Sequence, residues 1–189
     1  MEFMKQFLIA KNIPITDENW NIFAEKNIRR EYKKKDIILK EGEIDDYLTI
    51  VEEGAARLFF IKQNKEITTR FVFKYQYLTS YDSFLNRSPS RCNVEALTDM
   101  VLWRVHYDDL QEVYRTSNVG NLIGRLTIES IYVEKLNKEF SYLSESAEER
   151  YLKLMKEQPD LFQLIPLKHI ATYMGITPQA LSRIRRRIS

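Results

Sequence analysis

Cysteine and histidine are scarce in this sequence. Its 189 residues include one cysteine, Cys92, and two histidines, His106 and His169. One thiol excludes an internal disulfide and an iron–sulfur cluster held by four cysteines of one chain. Haem ligation through one of these three residues is the remaining alternative, but their positions favour structural roles. With no close carboxylate pair either, we predict no enzyme, no cofactor and no metal.

Long apolar runs and a strong net charge are also lacking. No run approaches the ~18 apolar residues of a membrane span, and residues 1–10 are too short and too charged for a secretory signal, so we expect a cytoplasmic protein without a membrane partner. The net charge is only +2. Positive charge is instead local, since no acid follows Asp160 and four arginines lie close together: Arg183, Arg185, Arg186 and Arg187. This asymmetry is typical of a small DNA-binding unit on a near-neutral body.

The most specific pattern lies between Pro166 and Ser189 and predicts a helix-turn-helix. A first short helix has four apolar residues on one face: Leu167, Ile170, Ala171 and Met174. Gly175 supplies a tight turn, Thr177 is an N-cap residue, and Pro178 follows at the first helical position. The second helix places three apolar residues on its inner stripe: Leu181, Ile184 and Ile188.

The opposite face of this second helix is rich in hydrogen-bond donors. At about 100° per residue, Gln179, Arg183 and Arg186 cluster there, with Ser182 and Arg187 beside them. Gln can pair with adenine and Arg with guanine in a major groove, whereas a solvated charged helix is the alternative interpretation. The predicted DNA-binding residues are Thr177, Pro178, Gln179, Ser182, Arg183, Arg186 and Arg187.

Upstream, the pattern changes to short strands separated by turns. A helix beginning at Thr16 with Trp20 and Phe23 inward precedes them. The predicted strands are Asp36–Leu39, Tyr47–Val51, Ala56–Ile61, Ile67–Phe73 and Met100–Val105, which indicates an antiparallel sandwich or roll. Many aromatic residues between Phe59 and Phe84 either form its core or line an apolar cavity. A short helix, Asp108–Arg115, leaves the roll.

A long helix is predicted from Asn118 to Ser144, with apolar residues at seven of eight heptad core positions (Glu129 is the exception). Either it packs only on its own roll, or its seam pairs with a second copy while Ile123 and Ile131 face the roll. We favour the dimer, with Gly120 and Gly124 allowing close approach where the seam begins; the alternative is that one of these glycines only loosens the first turn of the helix. A capping box at Ser146 starts another helix, and Gln158-Pro159-Asp160 ends it. The predicted dimer seam, besides Val119, is Leu122, Leu126, Val133, Leu136, Phe140 and Leu143.

In order, these parts resemble the CRP/FNR family of bacterial transcription regulators. The resemblance is carried by Leu39–Gly54, which is similar to the family's strand–turn–strand signature with two glycines, and by Ile170–Arg183, which matches its helix-turn-helix. It implies an α+β fold: an antiparallel β-roll of the double-stranded β-helix type in a cyclic-nucleotide-binding-like domain (1–116), a dimerisation helix (117–144) and a helix-turn-helix domain (145–189). It also implies two-fold double-stranded DNA, a second copy and RNA polymerase as partners. In the family, Pro178, Gln179 and Arg183 hold base-contacting positions.

The predicted sensor departs from the family where a cyclic nucleotide would bind. Relatives hold the phosphate and ribose with a Gly-Glu pair and an Arg-Ser pair, whereas the matching positions here are Thr79-Ser80 and Ser90-Arg91. A one-residue slip in a strand turns a side chain to the other face, and Asp82 would repel an anion. We therefore expect an unknown small-molecule effector rather than cyclic AMP, in a pocket whose candidate residues are Thr79, Ser80, Arg87, Ser90 and Arg91.

Two further points stay open at the level of the sequence. The family usually has a β-hairpin wing after the recognition helix, and this sequence ends at Ser189 before any such wing. The preferred function is a homodimeric, sequence-specific transcription regulator. The alternative is a small-molecule-binding sensor whose helix-turn-helix contacts protein or is vestigial.

Overall fold

The computed structural model describes residues 1–10, 15–159 and 161–188. Two helices, α1 (Glu2–Ala10) and α2 (Asp17–Glu25), precede the strands. The strands are β1 (Asn27–Tyr32), β2 (Ile37–Leu39), β3 (Tyr47–Glu53), β4 (Ala56–Lys62), β5 (Lys65–Val72), β6 (Asn93–Ala96) and β7 (Met100–His106). The later helices are α3 (Tyr81–Asn86), α4 (Tyr107–Thr116), α5 (Asn118–Ser144), α6 (Ala147–Glu157), α7 (Leu161–Leu164), α8 (Leu167–Tyr173) and α9 (Pro178–Ile188). Asp160 and Ser189, which the sequence analysis used, lie outside the described residues.

The strands form two antiparallel sheets, ordered β1-β7-β3 and β2-β6-β4-β5, which together we call the β-roll. Fully buried Val51, Ala56, Val72 and Leu102 belong to its core. Two layers joined through such a core bury the apolar face of each sheet, as the short alternating runs require. The predicted antiparallel roll is confirmed.

Two of these strands escaped the sequence analysis. Three of the six residues of β1 are charged, and its side chains are mostly exposed because it is an edge strand held by backbone pairing to β7. Strand β6 has only four residues. Neither carries enough apolar periodicity to be recognised without its partner strand.

The helix N-caps predicted from the sequence at Thr16 and Ser146 are both present. The hydroxyl of Thr16 accepts a hydrogen bond from the Asn19 amide at 3.2 Å, and Trp20 and Phe23 are buried. Ser146 forms the expected capping box with Glu149 at the start of α6. Such pairs satisfy amides that have no partner within the helix, which is why they can be recognised in a sequence.

The glycines of α5 have a different role from the one expected. A Cβ on Gly120 would lie 2.6 Å from a methyl of Val113, and one on Gly124 would lie 2.6 Å from the Tyr114 hydroxyl. Both partners belong to α4 of the same chain. The expectation that these glycines ease the approach of a second copy is therefore wrong: the close packing that they permit is that of α4 against α5.

The C-terminal helical unit, α6 to α9, packs directly on the β-roll. One apolar cluster combines Ala55, Phe71 and Leu97 of the roll with buried residues of this unit such as Ile170 and Leu181. The Thr68 amide in β5 donates to the Thr172 hydroxyl in α8 at 3.2 Å. Helix α8 is thus bound to the roll, which leaves α9 on the outside.

Candidate nucleic-acid interface and effector cavity

The last two helices have the geometry of a helix-turn-helix. Gly175 follows α8 with a φ of +71°, a left-handed conformation that glycine adopts without steric cost. The Thr177 hydroxyl then accepts a hydrogen bond from the Ala180 amide at 3.1 Å, so it caps α9. The turn and the cap lie where the sequence predicts them.

The two faces of α9 differ in the expected way. Leu181 and Ile184 are buried, while Gln179, Arg183 and Arg186 are exposed. The nine residues from 180 to 188 include no acid, and the last turn carries Arg185, Arg186 and Arg187. A donor-rich convex face next to an apolar inner face is what entry into a negatively charged groove requires.

Three of the predicted contact residues have further roles within the protein. Thr177 caps the helix, and the Ser182 hydroxyl donates to the Pro178 carbonyl oxygen at 2.9 Å, which leaves its oxygen available only as an acceptor. Arg187 forms an ion pair with Glu148 of α6 at 3.1 Å. This pair connects the end of α9 to α6. An external anion that binds Arg187 must therefore compete with Glu148 of the same chain.

The expected effector residues fall into two groups, of which the first is turned inward. Thr79, Ser80 and Ser90 are buried. The Ser90 hydroxyl lies 2.9 Å from that of Ser80, the Ser80 amide donates to Asp45 at 2.8 Å, and the Thr79 hydroxyl accepts from the Thr49 amide at 3.1 Å. These groups therefore satisfy one another and hold α3 against the roll.

The two arginines of the second group are paired with acids. Arg87 binds the Asp46 carboxylate, and Arg91, whose side chain is 85% exposed, binds Asp82 at 2.7 Å. Ser90 and Arg91 lie in the loop before β6, so the argument from strand alternation was wrong. Asp82, which was expected to repel an anion, neutralises Arg91.

A cavity of about 740 Å³ nevertheless lies between the roll, α3 and α5, and we call it the roll–helix cavity. Thr79, Ser80 and Arg91 line it, as do residues that the sequence analysis missed. Leu58, Phe60 and Ile131 supply apolar surface; Arg70, Glu134 and Lys138 supply charge. Only α5 folding over the roll brings these distant positions together, so no local pattern marks them.

Lys138 and Tyr173 line this cavity and also a second one of about 620 Å³ between α5, α6 and α8. The Lys138 ammonium donates to the Thr69 carbonyl oxygen and lies 4.0 Å from the centre of the Tyr173 ring. Burial is the main cause that lowers the pKa of Lys138 to about 8. The two side chains form a wall shared by the roll, the long helix and α8.

The two histidines have structural surroundings. His106 caps α4 by accepting from the Asp108 amide at 3.3 Å. His169 is buried, and its Nδ1 lies 2.8 Å from Arg57. Within residues 1–10, 15–159 and 161–188 there is no group of three His, Cys, Asp or Glu side chains placed to hold a metal, and no helix there is long and apolar enough to cross a membrane.

The predicted dimer seam divides into two parts. In the first half, Leu126 packs on the core of its own chain and Leu122 is half-buried. In the second half the side chains of Val133, Phe140 and Leu143 are exposed by 54%, 67% and 81%. The side chain of Val119 is not among those described. The predicted second stripe behaves as expected, since Ile123 is buried and Ile131 lines the roll–helix cavity.

Comparison with known proteins agrees with this architecture. Residues 29–117 match the cyclic nucleotide-binding domain family. A transcriptional regulator of the CRP/FNR family from Eubacterium rectale superimposes with a TM-score of 0.71 at 17% identity, over 95% of this chain and 85% of that one. FixK2 from Bradyrhizobium japonicum gives 0.71 at 17% identity, over 86% of this chain and 84% of its own. CLP from Xanthomonas campestris, a c-di-GMP-responsive global regulator, gives 0.69 at 14%, over 92% and 91%.

These matches define the fold of the protein: a β-roll that over residues 29–117 is similar to the cyclic nucleotide-binding domain family, followed by a long helix and a C-terminal helical unit. This is the fold of the CRP/FNR transcription regulators, so the resemblance drawn from the sequence is confirmed. A comparison of the sequence with curated proteins found no match.

Proposed function

We propose that this protein is a homodimeric, sequence-specific DNA-binding transcription regulator of the CRP/FNR type, whose sensor does not use a cyclic nucleotide. The observation that carries the proposal is α9: a capped helix with a buried apolar face and an exposed face of Gln179, Arg183 and Arg186. A helix that only contacted protein would have little use for this concentration of planar donors without acids. DNA is the partner that this chemistry fits best.

Dimerisation is supported by the second half of α5. Three large apolar side chains in heptad register, Val133, Phe140 and Leu143, are more than half exposed in the single chain. A second copy of α5 packed across this stripe would remove these side chains from water, and each Å² of apolar surface so removed contributes about 25 cal/mol to the stability of the dimer. Pairing two copies would also present two α9 helices to a two-fold DNA site.

The assignment of the sensor rests on its hydrogen bonds. A cyclic nucleotide needs donors for its phosphate and an acceptor for its ribose hydroxyl, whereas Ser80 and Ser90 bond to each other and Arg91 is already paired with Asp82. Opening these bonds to admit the ligand would cost about 1 kcal/mol each and more where a charge is involved. We therefore propose a different effector.

Selection of bound fragments from random double-stranded DNA tests the main proposal. We expect one enriched, two-fold symmetric motif. Arg183→Ala should then lower affinity for that motif about 5- to 150-fold, equivalent to about 1–3 kcal/mol, and relax preference at one base pair of each half-site. Lys62→Ala, which removes an exposed cation at the far end of β4, is the matched control and should bind like the wild type.

Two results would reject DNA reading by α9. One is the absence of any enriched motif. The other is an equal loss of affinity for all sequences in Arg183→Ala, which would reduce this residue to a phosphate contact.

A further inference from the structure

Lys138 is a half-buried cation that has no ion-pair partner among the described residues. Its ammonium donates to the neutral carbonyl oxygen of Thr69. The nearby Glu134 carboxylate is instead engaged by Arg70, through contacts of 3.0 and 2.7 Å. A cation held away from water without a counter-charge is costly, and an anion brought to it would recover part of that cost.

The surroundings of Lys138 restrict the anion that would fit. The charged side chains that line the roll–helix cavity are the cations Arg70, Arg91, Lys135 and Lys138 and the acids Glu41, Asp82 and Glu134. Arg70 and Arg91 are paired with Glu134 and Asp82, and Lys135 and Glu41 are exposed. Lys138 is thus the half-buried cation of this cavity that has no ion pair among the described residues. A dianionic phosphate would bring two charges to one cation and would lie close to these carboxylates. A single carboxylate matches the charge.

The rest of the cavity favours an organic body. Leu58, Phe60 and Ile131 line it together with Tyr81, and the hydroxyl groups of Thr79 and Ser80 are already satisfied within the protein. Most of the contact available to a ligand is thus apolar or aromatic, as in binding sites for small organic molecules. The volume of about 740 Å³ is within the usual range for such sites.

We propose that the roll–helix cavity binds an amphipathic organic monocarboxylate, whose carboxylate pairs with Lys138 and whose apolar body packs on Leu58, Phe60 and Ile131. This inference deepens the proposed function, since it rests on the β-roll acting as the sensor. Lys138 also contacts the Tyr173 ring of α8 at 4.0 Å. A carboxylate that draws the ammonium toward itself therefore changes a contact of the C-terminal helical unit.

Thermal unfolding of the full chain with defined probes tests the proposal. The probes are benzoate, 4-phenylbutyrate and decanoate, each compared with its uncharged primary amide. At least one acid is expected to raise the unfolding temperature in a saturable manner, because a ligand of the folded state stabilises it, while its amide has a much smaller effect. Lys138→Gln should abolish the difference between acid and amide, and Lys62→Gln should preserve it.

NMR of protein labelled at the lysine ε-carbons provides a second measurement on the wild-type chain, which matters if Lys138→Gln unfolds. Titration of Lys138 should have a midpoint near pH 8, and the bound acid should move this midpoint upward. The proposal is overturned if no acid stabilises the protein, if the amides stabilise it equally, or if the acid leaves the Lys138 midpoint unchanged. All of these assays are done without DNA, so their outcome does not depend on whether the protein binds DNA, and the two proposals can fail separately.

Discussion

The guanidinium of Arg57 in β4 lies 2.8 Å from Nδ1 of His169 in α8, and this contact joins the β-roll to the C-terminal helical unit. Arg57 also binds Glu66 at 2.7 Å and Glu95 at 2.5 Å and is almost wholly buried. Because arginine only donates, Nδ1 must accept, which requires a neutral imidazole with its proton on Nε2. Burial, followed by the charge of Arg57, lowers the pKa of His169 to about 4.

This junction predicts a pH dependence of stability that is hidden in the wild-type protein. Between pH 6.5 and 4 the unfolded chain protonates His169 and the folded chain does not, so folding loses stability as pH falls. Buried Asp45 has the opposite effect: burial raises its pKa to about 6, so between pH 6 and 3.8 the folded chain holds the extra proton and gains stability as pH falls. The two contributions oppose each other over nearly the same range.

Single substitutions should separate them. In His169→Gln the amide oxygen can still accept a hydrogen bond from Arg57. When pH is lowered from 7 to 4.5, the free energy of unfolding of this variant should rise by on the order of 2–3 kcal/mol relative to that of the wild type. Asp45→Asn should show the opposite trend. Urea unfolding across this range measures both, and parallel pH profiles for all three proteins would refute the assigned protonation states.

The exposed half of the α5 seam predicts the oligomeric state. Leu143→Glu places a charge in the proposed contact between copies without removing any core residue, because this side chain is 81% exposed in the single chain. We expect a monomer at micromolar concentration, with the folded state of each chain intact and DNA affinity strongly reduced. Sedimentation measures the mass, and Ser130→Glu, an exposed position outside the seam, is the control.

A wild-type protein that is monomeric while it binds a two-fold DNA site tightly would contradict this assignment. A dimer that survives Leu143→Glu would instead place the contact on another surface.

The ion pair between Arg187 and Glu148 predicts effects of opposite sign on DNA binding. Arg187→Ala should weaken binding to all sequences alike and reduce the slope of log K against log salt by about one unit. Glu148→Ala frees Arg187 and removes a negative charge near α9, so binding to DNA should become stronger. Fluorescence anisotropy at several salt concentrations measures both slopes. Loss of base preference in Arg187→Ala would mean that it contacts a base.

Gly120 offers a test of helix packing. On helix propensity alone, Gly→Ala should stabilise α5 by about 1 kcal/mol. At Gly120, however, the new methyl group would lie 2.6 Å from a Val113 methyl and 2.8 Å from the Val113 carbonyl oxygen, which is backbone and cannot move aside easily. We expect Gly120→Ala to destabilise the protein by about 1–3 kcal/mol in chemical unfolding. Ser130→Ala on the exposed face of α5 should be neutral or stabilising. If Gly120→Ala also stabilises the protein, α4 must shift to make room for the new methyl group.

The hydrogen-bonded Ser80–Ser90 pair predicts indifference to cyclic nucleotides. If cyclic AMP or cyclic GMP bound the folded state, a concentration of 100 times a typical micromolar dissociation constant would raise the free energy of unfolding by about 2.7 kcal/mol. We expect no change in unfolding temperature and no change in DNA affinity. A clear rise with either nucleotide would show that the cavity offers a phosphate site through a rearrangement of α3.

Much of the local structure could be read directly from the residues. Thr16, Ser146, Thr177 and Gly175 act within three or four residues of themselves, as caps or as a turn, so their effects need no knowledge of the fold. The same holds for the two faces of α9, because burial there follows the period of the helix. The long apolar repeat of α5 could also be recognised in the sequence. Such a repeat does not show whether its apolar side chains pack on the same chain or on a second copy.

Contacts between distant segments were decided only by the tertiary structure. The sequence determined the order of roll, long helix and helix-turn-helix, because periodicity and capping are local properties of the chain. It could not place Arg57 against His169, 112 residues away, nor Lys138 against Thr69 and Tyr173. It also misassigned Gly120, whose partner Val113 lies on another helix. Such pairs depend on how the sheets and helices pack, and burial, which shifts the pKa values of His169 and Lys138, is a property of that packing rather than of neighbouring residues.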